Sequence, residues 1–214
     1  MNLYLYISII VFFILSNIYF YNKNKKIFIE IAKDIRITRT IHFLLMILFG
    51  IIVAGKISPL TITIQKIFEI LFLNISVFYA VLYSTISNNF ADVKIDLISN
   101  PDRPLPKKSV DPVQYNKAGT IILYLSLFYS IIINFKTFAI VASFIAIYYI
   151  YSMLLFRFKR AVVISKLCIS INSMLLSFGG FFLFNNDLSL YPVYFIYFFV
   201  FILTFTINFI DLKD

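Results

Sequence analysis

The stretch Asn88-Asn89-Phe90-Ala91-Asp92-Val93-Lys94-Ile95-Asp96, followed by Asn100-Pro101-Asp102-Arg103-Pro104-Leu105-Pro106, interrupts an otherwise apolar chain. It comes directly after a long apolar run. Asn88, Asp92 and Asp96 are spaced four apart, so on a helix they share one face. Two carboxylates and an amide oxygen in a row, at the end of a membrane helix, suit a hard cation such as Mg²⁺. That ion prefers oxygen ligands and completes its shell with water and phosphate. The same residues also fit a solvated loop whose acids balance Lys94, Arg103, Lys107 and Lys108.

Working outward, the flanking sequence decides the class. Hydrophobic residues make up 61% of the 214 positions and charged residues 14%, which excludes an ordinary water-soluble globule. Apolar runs near membrane-spanning length recur at 3–21, 41–55, 67–87, 118–134, 137–156, 161–184 and 190–210. The expectation is an all-α, polytopic membrane protein of about seven transmembrane helices. Residues 1–21 lack a basic leader and a small-residue cleavage site, so they are expected to stay as a first membrane helix. The second half of 22–40 fits a short interfacial helix leading into the membrane. His42 reads as a helix-boundary residue, and the lone Cys168 as a packing residue. Pro101, Pro104, Pro106 and Pro112 forbid a continuous helix through 88–117. The acids are therefore expected on the last helical turns, with an extended segment lying over the site.

The net charge of +9 is distributed as topology, not as a nucleic-acid surface. With 22–40 in the cytoplasm, sixteen of the 19 Lys and Arg residues fall on that side; Lys56, Lys66 and Lys136 are the three opposite. That orientation makes the chain a multi-pass integral protein of the lipid bilayer with its acidic motifs on the cytoplasmic face. Apart from Glu69, the apolar runs carry no Asp or Glu, which argues against a transporter with a midplane ion site.

The order Asn-Asn-x-x-Asp-x-x-x-Asp with Asn-Pro-Asp-Arg-Pro-Leu-Pro resembles the first aspartate-rich motif of the UbiA superfamily of intramembrane prenyltransferases. It departs at Asn89, where the family usually has Asp. Asp211-Leu212-Lys213-Asp214, four apolar runs later, resembles the start of that family's second motif, whose third acid would fall beyond residue 214. Tyr148, Tyr149 and Tyr151, followed by Arg157, Lys159 and Arg160, more loosely resemble its Tyr-and-basic helix end. The resemblance implies an extra N-terminal helix and basic linker at 1–35, then a UbiA-like domain at 36–214 that lacks the last helices of the bundle. It implies Mg²⁺-dependent transfer of an isoprenoid group from a polyprenyl diphosphate donor to a lipophilic or aromatic acceptor. The implied metal ligands are Asn88, Asn89, Asp92, Asp96, Asp211 and Asp214. Asp92, Asp96, Asp211 and Arg103 would be catalytic. Asn88, Arg103, Lys107, Tyr151, Arg157, Lys159 and Arg160 would contact substrate. The alternative is a non-catalytic or fragmentary relative, favoured by Asn89 and by the incomplete second motif. The acceptor is unreadable beyond a likeness of the Asn-Pro-Asp-Arg-Pro-Leu-Pro wording to members that make archaeal-type ether lipids or tetrapyrrole esters.

Overall fold

The polar stretch does not begin a loop. It is the last third of one helix. The computed structural model describes residues 3–153 and 162–206. The helices among these residues are α1 (Leu3–Lys23), α2 (Lys25–Lys33), α3 (Ile37–Ile57), α4 (Ile64–Ser99), which carries the stretch, α5 (Pro112–Ile133), α6 (Phe135–Met153), α7 (Val162–Phe182), a short α8 (Val193–Tyr197) that follows a single 3-10 turn (Leu188–Leu190) and continues as a π-helical stretch (Phe198–Leu203), and α9 (Thr204–Thr206). Six of these helices are long and apolar enough to cross a membrane, and 193–202 forms a shorter apolar helix. That matches the seven runs read from sequence.

Helix α4 is the axis of the molecule. It has no Gly or Pro between Ile64 and Ser99, so nothing breaks its hydrogen-bond ladder over 36 residues. Its length is about 54 Å, well past the roughly 30 Å of a bilayer core. Thr63 caps its start by accepting from the Lys66 amide (3.2 Å). Asn100-Pro101 stops it, since the residue before a proline avoids helical geometry. Near its start the acid expected in the third run, Glu69, is buried but held by Lys66 (2.8 Å) and Gln65 (2.8 Å). The Lys66 ammonium also donates to the Leu183 carbonyl.

Two apolar cores flank this axis. On one side Phe43, Ile47, Leu73, Val77, Phe144 and Leu176 join α3, α4, α6 and α7. On the other, Tyr6, Phe72, Tyr79, Ile122 and Tyr129 join α1, α4 and α5. Without a hydrophobic driving force inside lipid, close approach of helices relies on small and polar residues. A Cβ at Gly50 or Gly180 would run into the backbone carbonyl of Ser177 or Ile47, so these glycines let α3 and α7 touch. Between α4 and α5, Ser76 Oγ donates to the Ser126 carbonyl (2.7 Å) and Ser126 Oγ donates to the Ser76 carbonyl (2.8 Å). His42, expected only as a boundary residue, bonds Ser173 Oγ (2.8 Å) across the α3–α7 interface.

The connections follow local chemistry. Asp111 accepts from the Gln114 amide (2.9 Å) and Pro112 opens α5, the usual start signal. Asn134 alone separates α5 from α6, its side chain accepting from the amide and hydroxyl of Thr137 (2.8 and 3.0 Å). The short helix expected in the second half of 22–40 lies earlier: α2 covers Lys25–Lys33, with Ile27 and Ile31 buried one turn apart. Residues 100–111, expected to be extended, are instead a chain of tight turns. Backbone bonds run from Arg103 to Asn100, Lys107 to Arg103 and Ser109 to Pro104. The prolines preset turn geometry, and Pro104, Leu105 and Pro106 are buried, so the segment folds onto the bundle.

Candidate functional site

The polar end of α4 sorts its side chains onto two faces. Asn88 turns toward α6, where its Oδ1 accepts a long bond from Ser152 Oγ (3.4 Å). There it lines a narrow cleft with Arg36, Arg39, Thr85, Tyr148 and Tyr151. Arg36 precedes α3 and Arg39 lies in its first turn, so two guanidinium groups line the cleft beside the Asn88 amide. Ser84 and Thr85 donate to carbonyls of their own helix, four residues back (2.8 and 3.0 Å).

Asp92 and Asp96 follow at one-turn intervals and are buried, at 8% and 2% exposure. Asp96 is held by Arg103, whose Nη1 reaches both carboxylate oxygens (2.9 and 2.8 Å), and by Asn100 Nδ2 (3.1 Å). Arg103 keeps part of its side chain in the open, at 21% exposure. The turns of 100–111 thus return a guanidinium to the acid seven residues earlier.

Asn89 faces the other way and is fully buried. Its Nδ2 donates to Asp34 Oδ2 (2.5 Å) and to the Tyr115 hydroxyl oxygen (3.0 Å), while its Oδ1 has no hydrogen-bond partner among the described residues. Asp34 caps the end of α2. Burial pushes its carboxyl above the ordinary aspartate range, against the Asn89 hydrogen bond and the nearby Arg36 and Arg103 charges, while Asp96 adds to the rise. The same linker is tied to the loop by Glu30, which accepts from Ser109 Oγ (2.7 Å) and pairs with Lys33 (3.1 Å). The Ser109 bond is the main reason its carboxyl lies below the ordinary range; burial opposes this, and Lys33 and the more distant Lys107 add to it.

The expected residues Asn88, Asp92, Asp96 and Arg103 therefore gather at one end of α4, with Tyr151 in the adjoining cleft. Lys107 is exposed, on the Glu30 side of the loop. Asp211, Asp214, Arg157, Lys159 and Arg160 lie outside the described residues. Among the described residues no three His, Cys, Asp or Glu side chains cluster as a ready metal cage. The donor set still fits a hard cation. Asn88 and Asp92 offer oxygens on one face, and an ion of the Mg²⁺ type takes the remainder from water and phosphate. Sequence reading missed Asp34, Arg36, Arg39 and Ser152. Asp34 carried one signal: it is one of only two acids, with Glu30, among the six basic residues of the linker.

A sequence model of the UbiA prenyltransferase family matches residues 36–214. The chain belongs to that family. Its relatives include a digeranylgeranylglyceryl phosphate synthase from Methanococcus aeolicus, 30% identical over 136 residues, covering 62% of this chain and 46% of that protein. Two solved UbiA-type structures share the fold. One, of a digeranylgeranylglyceryl phosphate synthase, has a TM-score of 0.61 at 22% identity and covers 79% of this chain and 56% of that one. The other, a UbiA homologue from Archaeoglobus fulgidus bound to DMAPP and Mg²⁺, has a TM-score of 0.63 at 17% identity and covers 78% and 58%. The chain thus spans about half the length of the relatives it matches. The family match begins at Arg36, which leaves α1 and α2 outside it.

Proposed function

We propose that this chain forms the first part of an Mg²⁺-dependent intramembrane prenyltransferase that takes an allylic polyprenyl diphosphate as donor. The observation that carries the reading is the row Asn88, Asp92 and Asp96 on α4, with Arg103 returned to it, in a chain of the UbiA family. A diphosphate needs cations beside it both to bind and to leave. When bound, Mg²⁺ supplies positive charge to the phosphoryl oxygens of the leaving group. Asn88 and Asp92 would hold it, with Asp96, Asp211 and Asp214 completing the proposed ligand set; Asn89, expected in that set, is turned away from it toward Asp34 and Tyr115. Arg36 and Arg39 in the cleft, and the open part of Arg103, supply further donors to phosphate oxygens. Lys107, Arg157, Lys159 and Arg160 are proposed as further phosphate contacts on the family resemblance alone. Tyr148 and Tyr151 line the same cleft, and aromatic rings there would stabilise an allylic cation and help to exclude water from it.

For the acceptor, the relative of 30% identity points to a prenylated glyceryl phosphate. The sixteen-to-three distribution of Lys and Arg supports the cytoplasmic face for this end of the bundle. Residues 1–35 are an addition in front of the family domain.

The test is protection of the native protein against thermal unfolding by a thio-analogue of geranylgeranyl diphosphate, with and without millimolar Mg²⁺. Mg²⁺-dependent protection that is lost in Asp92→Ala is the expected result. Equal protection without Mg²⁺, or none with it, overturns the reading.

A further inference from the structure

The N-terminal helix does not simply lie against the family bundle. Its first half is seated by rings: Tyr6 stacks on Phe68 (4.7 Å), Phe12 meets Phe128 edge-on (5.9 Å), and Phe13 does the same with Tyr79 and Tyr129 (6.0 Å each). Beyond Phe13 the pattern changes. Phe20 and Tyr21 pack on Phe28 of α2 (5.8 and 5.5 Å). The last turns of α1 thus lean on α2, while Asn17 keeps one hydrogen bond to Tyr79 of α4. A cavity of about 570 Å³ is bounded by α1, α2, α4 and α5, within the size range of sites that hold small organic ligands. It is separate from the cleft at Asn88, with which it shares no lining residue.

Its chemistry is graded along its length. The inner walls are Phe12, Phe78, Leu82, Ile121 and Leu125. The polar groups among them are already spent: Asn17 donates to the Phe13 carbonyl and the Tyr79 hydroxyl (2.8 Å each), and Ser16 donates to the Phe13 carbonyl (2.9 Å). The mouth is lined by Lys23, Asn24, Gln114 and Lys117, with no acid anywhere in the lining. Lys23 meets a phenol, bonding the Tyr19 hydroxyl (3.1 Å), and Lys117 has no acidic partner among the described residues. Both lysines are at the membrane face that carries the α4 motif, since α1 ends, α4 ends and α5 begins there. From Lys23 down to Phe12 is eleven helical residues, roughly 16 Å, about half the thickness of a bilayer core. The cavity is thus one leaflet deep, apolar below and positive at the headgroup level.

We infer that this cavity holds one anionic membrane lipid, a hydrocarbon chain against Phe12, Phe78 and Leu125 and its phosphate between Lys23 and Lys117. The charge decides the class. Two ammonium groups without acidic partners among the described residues favour a headgroup of net negative charge over a zwitterion of the same chain length, by on the order of tenfold for two lysines near a membrane surface. The site is built half from helices outside the family match and half from α4 and α5, so a bound lipid joins the N-terminal addition to the domain.

The experiment is native mass spectrometry of the whole protein in neutral detergent, offered equimolar phosphatidylglycerol and phosphatidylcholine with identical acyl chains. The expected result is about tenfold enrichment of phosphatidylglycerol on the wild type. Enrichment should vanish in Lys23→Ala/Lys117→Ala while some binding of both lipids remains. Both should be lost in Ala32→Trp, which fills the cavity from α2. Slow labelling of Cys168 confirms that each variant is folded. Equal retention of the two lipids by the wild type, or enrichment unchanged in the double variant, overturns the proposal. So does displacement of the lipid by millimolar inorganic phosphate, which would mean that the chain contributes nothing.

Discussion

Asn89→Asp restores the residue usual in the family motif, and here it is expected to be damaging. The Asn89 amide sits 2.5 Å from the Asp34 carboxylate and is fully buried. A near-isosteric Asp places two carboxylates in contact. At an effective dielectric of 20 and about 4 Å between charge centres, the repulsion is about 4 kcal/mol. The protein can avoid it only by protonating one acid, and holding an ordinary aspartic acid neutral at pH 7 also costs about 4 kcal/mol. Part of this is returned by the hydrogen bond across the shared proton, so the expected loss is about 2–4 kcal/mol. Because the shared proton raises a folded-state pKa, the variant should recover as pH falls through that raised value and lose most above it. The assay is thermal unfolding in detergent, read by dye labelling of Cys168, the single cysteine. A drop on the order of 5–10 °C at pH 7 is expected. Asp34→Asn in the same chain should restore it, with the donor now on residue 34. A variant as stable as wild type at pH 7, or one that Asp34→Asn fails to rescue, refutes the reasoning.

Other perturbations test other parts. Arg103→Ala leaves Asp96 buried without its ion pair and should cost about 3 kcal/mol in the same unfolding assay; adding Asp96→Asn should recover the stability but not the binding of a diphosphate analogue. Gly180→Ala forces a methyl into the Ile47 carbonyl and should lower thermal stability by more than about 2 kcal/mol, whereas Gly179→Ala, whose Cβ would have ordinary contacts with Ile140 and Leu73, should be tolerated. Glu30 is held below its ordinary value of 4.5, so its contribution is present above that pH and lost as pH falls through the lowered folded-state value; Glu30→Gln should flatten the pH dependence of unfolding in that window.

The six helices long enough to cross a membrane, and the shorter apolar one after them, were legible because the bilayer imposes a length and a composition that few other settings do. The position of the acids was legible because i, i+4 spacing survives whatever the helix packs against. The turn-rich form of 100–111 was not, since prolines permit extended and turn backbones alike, and the choice was made by Arg103 reaching back to Asp96. Nor was the opposite facing of Asn88 and Asn89 visible as two chemistries: adjacent helical residues differ by about 100°, but nothing local says that α2 will bring Asp34 to one of them. The cavity behind α1 was equally hidden, because periodicity reports that a helix is apolar and not which neighbour its last turns lean on.

The reciprocal serine bonds between α4 and α5 act as an index pin. Each serine serves as donor and its carbonyl as acceptor for the other, so a slip of one residue breaks both at once. Such a slip is only 1.5 Å of travel, but it turns the helix by about 100°. It would carry Asp92 and Asp96 off their face and leave Arg103 with nothing to hold. The aim of the acids, some twenty residues along the same rigid rod, is thereby calibrated from deep inside the membrane and not by the loop beside them.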